Sequence, residues 1–165
     1  MSSSLKNLSD FSHTTIPNGG DFKFAIVVAE WNAEITGKLY KGAFDTLIKH
    51  GVKEQNILSY PVPGSYELTA AADIVLSNNA TIDAVICLGC VIQGETRHFD
   101  FICNAVANGL ANVGLKHNKT IVFGVLTTDN QEQALARAGG KHGNKGDEAA
   151  ITALKMAHLS ANLPK

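Results

Sequence analysis

The sequence has little charge, and what it has is balanced, which argues against two classes of partner. Charged side chains make up 18% of the 165 residues, below the roughly 25% of an ordinary soluble domain. Lysine and arginine number 14 and aspartate and glutamate 15, so the formal net charge is −1. Without a basic field to hold phosphates, we expect neither nucleic acid nor an anionic membrane as a partner.

Cysteine is scarce as well. Three cysteines, an odd number in a chain of this length, do not build a disulfide framework. Cys87 and Cys90 form a CxxC pair, but Cys87 falls inside an apolar run, where residues three apart face opposite sides of a strand. Structural burial is therefore favoured over redox chemistry. The histidines lack HxH or HExxH spacing, so no metal site is predicted.

Long apolar runs are missing too. No stretch approaches the ~18 consecutive apolar residues of a membrane span, and the N-terminus lacks the apolar core of a secretory signal. We therefore expect a cytoplasmic protein. Residues 1–21 are rich in Ser, Asn, Asp and Gly and predict a flexible N-terminal arm, which a neighbouring subunit could order. Residues 22–165 are expected to form one domain.

The remaining chain alternates between two patterns. Short runs dense in β-branched and apolar residues, typical of buried parallel strands, occupy 22–29, 56–62, 82–89 and 120–126. Helical spacing of apolar residues follows these runs at 34–51, 66–78, 99–116, 130–138 and 147–159. This alternation predicts an α/β fold, a three-layer α/β/α sandwich around a four-stranded parallel sheet.

Ligands of such sheets bind at the carboxyl ends of the strands, so the segments after the strands carry the functional hypotheses. Residues 89–94 have the GxxxxG frame of a phosphate loop, but Glu95 stands where a triphosphate-binding loop has lysine. A single phosphate could bind the backbone N–H groups of Glu95 and Thr96 at the helix start. An equally good interpretation of these residues is a loop that only turns the chain and binds nothing. His98, in the first helical turn beside it, is the candidate proton shuttle.

Three further features remain open between structural and functional roles. Trp31 follows the first strand and either packs in the core or forms a stacking wall for a flat heterocycle. Glu67 begins a helix, where its carboxylate suits either the helix dipole or a ligand. Residues 137–146 combine three permanent cations with four glycines, which is typical of a solvated helix break or of a loop that clamps a small anion.

Several segments together resemble the lumazine synthase family: PGSYEL at 63–68, GCVIQGETRHFD at 89–100, FGVLT at 123–127 and RAGGKHGNKG at 137–146. The resemblance runs in order from about Phe24 to Leu159. It implies a flavodoxin-like sandwich that condenses 5-amino-6-(D-ribitylamino)uracil with 3,4-dihydroxy-2-butanone 4-phosphate in riboflavin biosynthesis. No cofactor is implied, and the partners are these two small substrates.

The resemblance also implies a role for each candidate residue. The pyrimidine is assigned to Trp31, to Asn32 beside it and to backbone groups of Cys90, Val91 and Ile92. The ribityl chain is assigned to Ser65, Tyr66 and Glu67. The phosphate is assigned to Glu95, Thr96 and Arg137, and proton transfer to His98. Phe123 would supply a backbone contact from the neighbouring subunit, and Lys141 and Lys145 lie near the pocket. Trp31 stands where relatives more often have Phe, and Gln93 where they often have Lys or Arg.

The low charge predicts self-association, and the resemblance makes the assembly a pentamer with shared active sites. The short loop at 139–146 resembles that of relatives whose pentamers close into a shell of sixty subunits. Two alternatives are the related archaeal-type riboflavin synthase, which needs no phosphate site, and a flavin-binding module on the same fold.

Overall fold

A single parallel sheet forms the centre of the computed structural model, which describes residues 7–163. Its strands are β1 (Phe24–Ala29), β2 (Ile57–Val62), β3 (Ala84–Ile92) and β4 (Thr120–Thr128). They lie in the order β2-β1-β3-β4, and every neighbouring pair is parallel. β1 and β3 occupy the middle and are buried over most of their length, as expected for strands covered on both faces.

Within residues 7–163, five α-helices cover the sheet. They are α1 (Ala33–Lys49), α2 (Leu68–Asn78), α3 (His98–His117), α4 (Gln131–Ala136) and α5 (Lys145–Asn162). One core, which includes Ile26, Leu39 and Leu154, lies between the sheet and the α1–α5 layer. A second core, which includes Val27 and Leu110, lies under α2 and α3. The predicted three-layer α/β/α sandwich is therefore confirmed.

Two differences from the predicted elements bear on the functional site. β3 continues to Ile92, three residues beyond the predicted end, because Cys90, Val91 and Ile92 still pair with β4. A hairpin of β5 (Ala138–Gly140) and β6 (Gly143–Asn144) joins α4 to α5 and has no counterpart in the predicted element order. Strands of two and three residues are too short for any periodicity to show.

The structure decides the question of the CxxC pair. Cys87 belongs to the core under α2 and α3, whereas Cys90 belongs to the core on the α1–α5 side. Burial raises the pKa of both thiols, that of Cys90 to about 11. Since the two side chains point to opposite faces and are held as thiols, the prediction of structural burial is confirmed.

The segment before β1 lies against the α1–α5 layer. Leu8 is buried, the Gly19 N–H donates to the His50 carbonyl at 2.8 Å, and Lys155 Nζ donates to Thr14 Oγ1 at 2.6 Å. The expected mobility of an arm over 1–21 stays a prediction, and its first six residues lie outside the described part. No helix within residues 7–163 combines the length and apolarity needed to cross a bilayer.

Substituting Gly146 tests the close crossing of α5 over α1. A Cβ at Gly146 would overlap the Leu39 carbonyl and lie 2.9 Å from the Ala43 nitrogen. Gly146→Ala should therefore lower the free energy of unfolding by about 1–3 kcal/mol. Gly37→Ala is the matched control, because a Cβ there meets nothing within 4 Å, and it should raise stability by about 0.5–1 kcal/mol. Equal denaturant midpoints for the two variants would contradict this account.

Candidate functional site

The carboxyl ends of β1, β2 and β3 open into a cavity of about 520 Å³. Trp31 and Asn32 follow β1, residues 65–67 follow β2, residues 90–92 end β3, and His98 begins α3. All of these candidate residues line the cavity. Four separate segments of the chain therefore converge where a parallel sheet places its ligands.

A left-handed turn presents Trp31 to this cavity. Asn32 adopts φ 59° and ψ 46°, and its side-chain amide donates to the Cys90 carbonyl at 3.0 Å. The Trp31 N–H donates to the Pro63 carbonyl at 3.1 Å. With the backbone held on both sides, the indole projects outward and is 73% exposed. Of the two open interpretations of Trp31, the core-packing one is therefore wrong.

The loop before α2 is seated closely on β3. Ser65 is buried, and a Cβ at Gly89 would lie only 2.6 Å from its hydroxyl. Glu67 directly precedes α2, and its Oε2 lies 3.0 Å from where a Cβ of Gly64 would be. A side chain at position 89 would collide with buried Ser65, so glycine there allows the loop to lie close to β3. This loop thus contributes the hydroxyl-bearing side chains of Ser65 and Tyr66 and the Glu67 carboxylate to the cavity.

The loop between β3 and α3 connects two residues of the cavity lining, Ile92 and His98, while Glu95 and Thr96 within it are not part of that lining. The Gln93 N–H donates to the Thr128 carbonyl at 2.8 Å, which anchors the start of the loop. The N–H groups of Glu95 and Thr96 donate to no acceptor within residues 7–163. Free N–H groups just ahead of a 20-residue helix attract anions. The geometry suits one anionic group beside His98.

The remaining candidates lie elsewhere on the chain. Phe123, Arg137 and Lys145 line a second cavity, of about 380 Å³, beside β4 and the start of α5. Lys145 Nζ pairs with the Glu148 carboxylate at 2.9 Å. Lys141 is exposed on the β5–β6 hairpin and lines neither cavity. One chain therefore does not bring these residues into the cavity that holds His98.

Arg137 carries the unneutralised charge of the second cavity. Its Nη1 donates to the Gln133 carbonyl at 3.0 Å, which fixes the guanidinium. Among residues 7–163 it has no carboxylate partner within salt-bridge distance, in contrast to Lys145. A planar, fixed and unpaired guanidinium is well suited to bind phosphate bidentately.

Comparison with known proteins identifies the family. The model of the 6,7-dimethyl-8-ribityllumazine synthase family matches residues 21–161, which is most of the chain. The chain belongs to the 6,7-dimethyl-8-ribityllumazine synthase family. The match agrees with the sheet and the flavodoxin-like arrangement of its helices, and it disfavours both alternatives drawn from the sequence.

Relatives of this family align over nearly their whole length. The 6,7-dimethyl-8-ribityllumazine synthase of Cytophaga hutchinsonii is 64% identical over 156 residues, which cover 94% of this chain and 97% of the relative. That of Parabacteroides distasonis is 48% identical over 161 residues, covering 98% and 100%. That of Bacteroides fragilis is 53% identical over 143 residues, covering 87% and 99%.

Sequence reasoning missed several residues that line the two cavities of this 6,7-dimethyl-8-ribityllumazine synthase family member. Ile102 lines the first cavity, and its position four residues after His98 on α3 was a usable signal, because such residues share a helix face. Leu8, Gln133 and Glu148 line the second cavity. Leu8 lies far from β4 in sequence, so no local pattern could place it there.

Proposed function

We propose that the cavity at the ends of β1, β2 and β3, completed by a second copy of the chain, is the active site of the family's condensation. The substrates are 5-amino-6-(D-ribitylamino)uracil and 3,4-dihydroxy-2-butanone 4-phosphate. The products are 6,7-dimethyl-8-ribityllumazine, inorganic phosphate and two waters. The observation that carries the proposal is one cavity that joins an exposed indole, a carboxylate and an imidazole, those of Trp31, Glu67 and His98.

The pyrimidine substrate lies against the Trp31 ring. An exposed indole on a fixed turn supplies a flat apolar surface at little entropic cost. Asn32 keeps this turn on β3, and the backbone of Cys90, Val91 and Ile92 faces the polar edge of the uracil. Ser65, Tyr66 and Glu67 bind the ribityl hydroxyls, because a carboxylate accepts hydrogen bonds from two hydroxyl groups at once.

The phosphate of the second substrate binds the N–H groups of Glu95 and Thr96. The Glu95 side chain is exposed, so its backbone can face the phosphate while its carboxylate points to solvent. Arg137 of a neighbouring copy supplies the cation, with the Phe123 backbone alongside it. Lys145 adds less charge because Glu148 pairs with it, and Lys141 approaches from the hairpin. The separation of the two cavities within one chain supports this sharing.

The proposed chemistry needs positioning and proton transfer. The 5-amino group attacks the ketone carbonyl, and loss of one water gives an imine. Phosphate then leaves by elimination, and the enol that forms tautomerises to a ketone. The ribitylamino nitrogen attacks this ketone, and loss of the second water closes the ring. His98 moves the protons, while holding the two substrates together supplies several kcal/mol of the barrier reduction.

We further propose that the chain assembles into pentamers, which close into a shell of sixty subunits. Large apolar side chains support association: Phe101 and Leu115 on α3 are 72% and 82% exposed. The connection between α4 and α5, residues 137–144, supports closure by its shortness. Within each subunit, residues 22–165 form the catalytic domain. The cytoplasmic location and the flexible arm over 1–21 stay predictions of the sequence.

A turnover assay with both substrates tests the proposed reaction. Purified chain should produce the absorbance of the lumazine and release one phosphate per turnover, without added metal or cofactor. Incubation with the lumazine alone is the control: riboflavin formation there would indicate the archaeal-type riboflavin synthase reaction instead. Binding of flavin with no turnover of either substrate set would contradict the proposal and favour a binding module.

A further inference from the structure

Residues 7–9, which we name the latch, bind the hairpin between α4 and α5. The Leu8 N–H donates to the His142 carbonyl at 2.7 Å, and the Asn144 N–H donates to Ser9 Oγ at 2.9 Å. The latch backbone lies so close that a Cβ at Gly143 would be 2.7 Å from the Ser9 nitrogen. Gly143 adopts φ 80°, which also favours glycine there. The hairpin is therefore shaped to receive the latch.

The Ser9 hydroxyl connects the hairpin to α5. It accepts from Asn144 and donates to Asp147 Oδ2 at 2.5 Å, which uses its single proton. The other oxygen of this carboxylate, Oδ1, accepts from Thr46 Oγ1 on α1 at 3.3 Å. A hydroxyl held between a backbone donor and a carboxylate has one orientation, and hydrogen bonds to ionised groups are the strong ones. Ser9 thus joins the hairpin to the start of α5.

The same hairpin carries the cations of the second cavity. Arg137 directly precedes β5, Lys145 directly follows β6, and the Lys145 N–H donates to the Arg137 carbonyl at 2.8 Å. The Leu8 side chain is buried and forms part of the wall of this cavity. The backbone of Arg137 is therefore tied to the hairpin that the latch binds, while its guanidinium is held by the Gln133 carbonyl on α4.

We infer that the latch is part of the phosphate-binding half of the active site, with Ser9 as a positioning residue for Arg137. The inference rests on the proposed function, in which Arg137 binds the phosphate of the butanone substrate. Ser9 touches no substrate. It sets where the guanidinium stands when a neighbouring copy presents its own cavity.

Steady-state kinetics of the full chain test this role. Ser9→Ala should raise KM for 3,4-dihydroxy-2-butanone 4-phosphate about three- to tenfold, because one charge-assisted hydrogen bond is lost. KM for the ribitylaminouracil should stay within about twofold, since that substrate binds the other cavity. Ser9→Thr keeps the hydroxyl and should restore the wild-type KM. Ser12→Ala is the matched control, because Ser12 bonds Asp10 in the same segment and does not bond the hairpin.

Arg137→Ala, measured in parallel, separates the possible failures. A raised KM in Arg137→Ala with a wild-type KM in Ser9→Ala overturns the role of Ser9 and leaves the phosphate site standing. Wild-type values in both variants overturn the phosphate role of Arg137 and the inference with it. Ser9→Thr behaving like Ser9→Ala, or Ser12→Ala raising the same KM, would also overturn the inference, because the effect would then not follow the Ser9 hydroxyl.

Discussion

His98→Ala is expected to slow the condensation about 10- to 1,000-fold at saturating concentrations of both substrates. A positioned acid/base group contributes at about this level, while the advantage of holding two reactants together persists without it. His98 is the only histidine that lines the 520 Å³ cavity in the described part of the chain, so no second imidazole replaces it there. Single-turnover absorbance of the lumazine measures the effect on the chemical steps.

Trp31 fluorescence provides the control for binding in this variant. The chain has one tryptophan, and its exposed ring in the cavity should be quenched saturably by the lumazine product. His98→Ala should show the wild-type quenching curve, which would assign the loss of rate to chemistry. His158→Ala, on the exposed end of α5, should leave both readouts unchanged. Wild-type turnover in His98→Ala would contradict the proton-transfer role.

The central strands could be predicted because burial on both faces leaves a continuous apolar signal. β1 and β3 carry that signal, and both were found. The end of β3 was not, because Gly89 and Gly94 frame the residues between them as a loop in the sequence. Pairing with β4 sets the end of β3, since Ile92 still pairs with Thr128. A strand end set by its neighbour cannot be read from its own residues.

The candidate site, like the sheet, could be predicted from the sequence only in part. Trp31 lies two residues after β1, Glu67 directly precedes α2 and His98 begins α3. The rule that ligands bind at strand ends was therefore enough to bring them together. Arg137 and Lys145 flank a hairpin that contacts residues 7–9, more than 130 positions away from it in sequence. Local patterns contain no information on such contacts. Motif resemblance therefore named Arg137, but only the structure separates it from the cavity of its own chain.

Co-assembled subunits of two impaired types should regain activity if neighbours share each site. In a mixture of His98→Ala and Arg137→Ala chains, a junction that pairs the intact Arg137 of one chain with the intact His98 of the next is complete. Random assembly from equal amounts makes about one quarter of the junctions complete, because each residue is intact in half of the chains. We expect about a quarter of the wild-type rate, measured at a butanone phosphate concentration far below the KM of Arg137→Ala.

Mixing wild-type chains with the double variant, in equal amounts, distinguishes a shared site from a self-contained one. A site built within one chain would keep about half of the wild-type rate in this second mixture and would give no recovery in the first. A shared site gives about one quarter of the wild-type rate in both mixtures.

Light scattering of the same mixtures measures the mass of the particle in which sites are shared. Sixty copies of the 17.5-kDa chain weigh about 1.05 MDa and five copies about 88 kDa, so a discrete particle at the lower mass leaves the pentamer and removes the shell. Full activity in a monomer would contradict both the pentamer and the shell as requirements for catalysis, because Arg137 and His98 of one chain lie in two separate cavities.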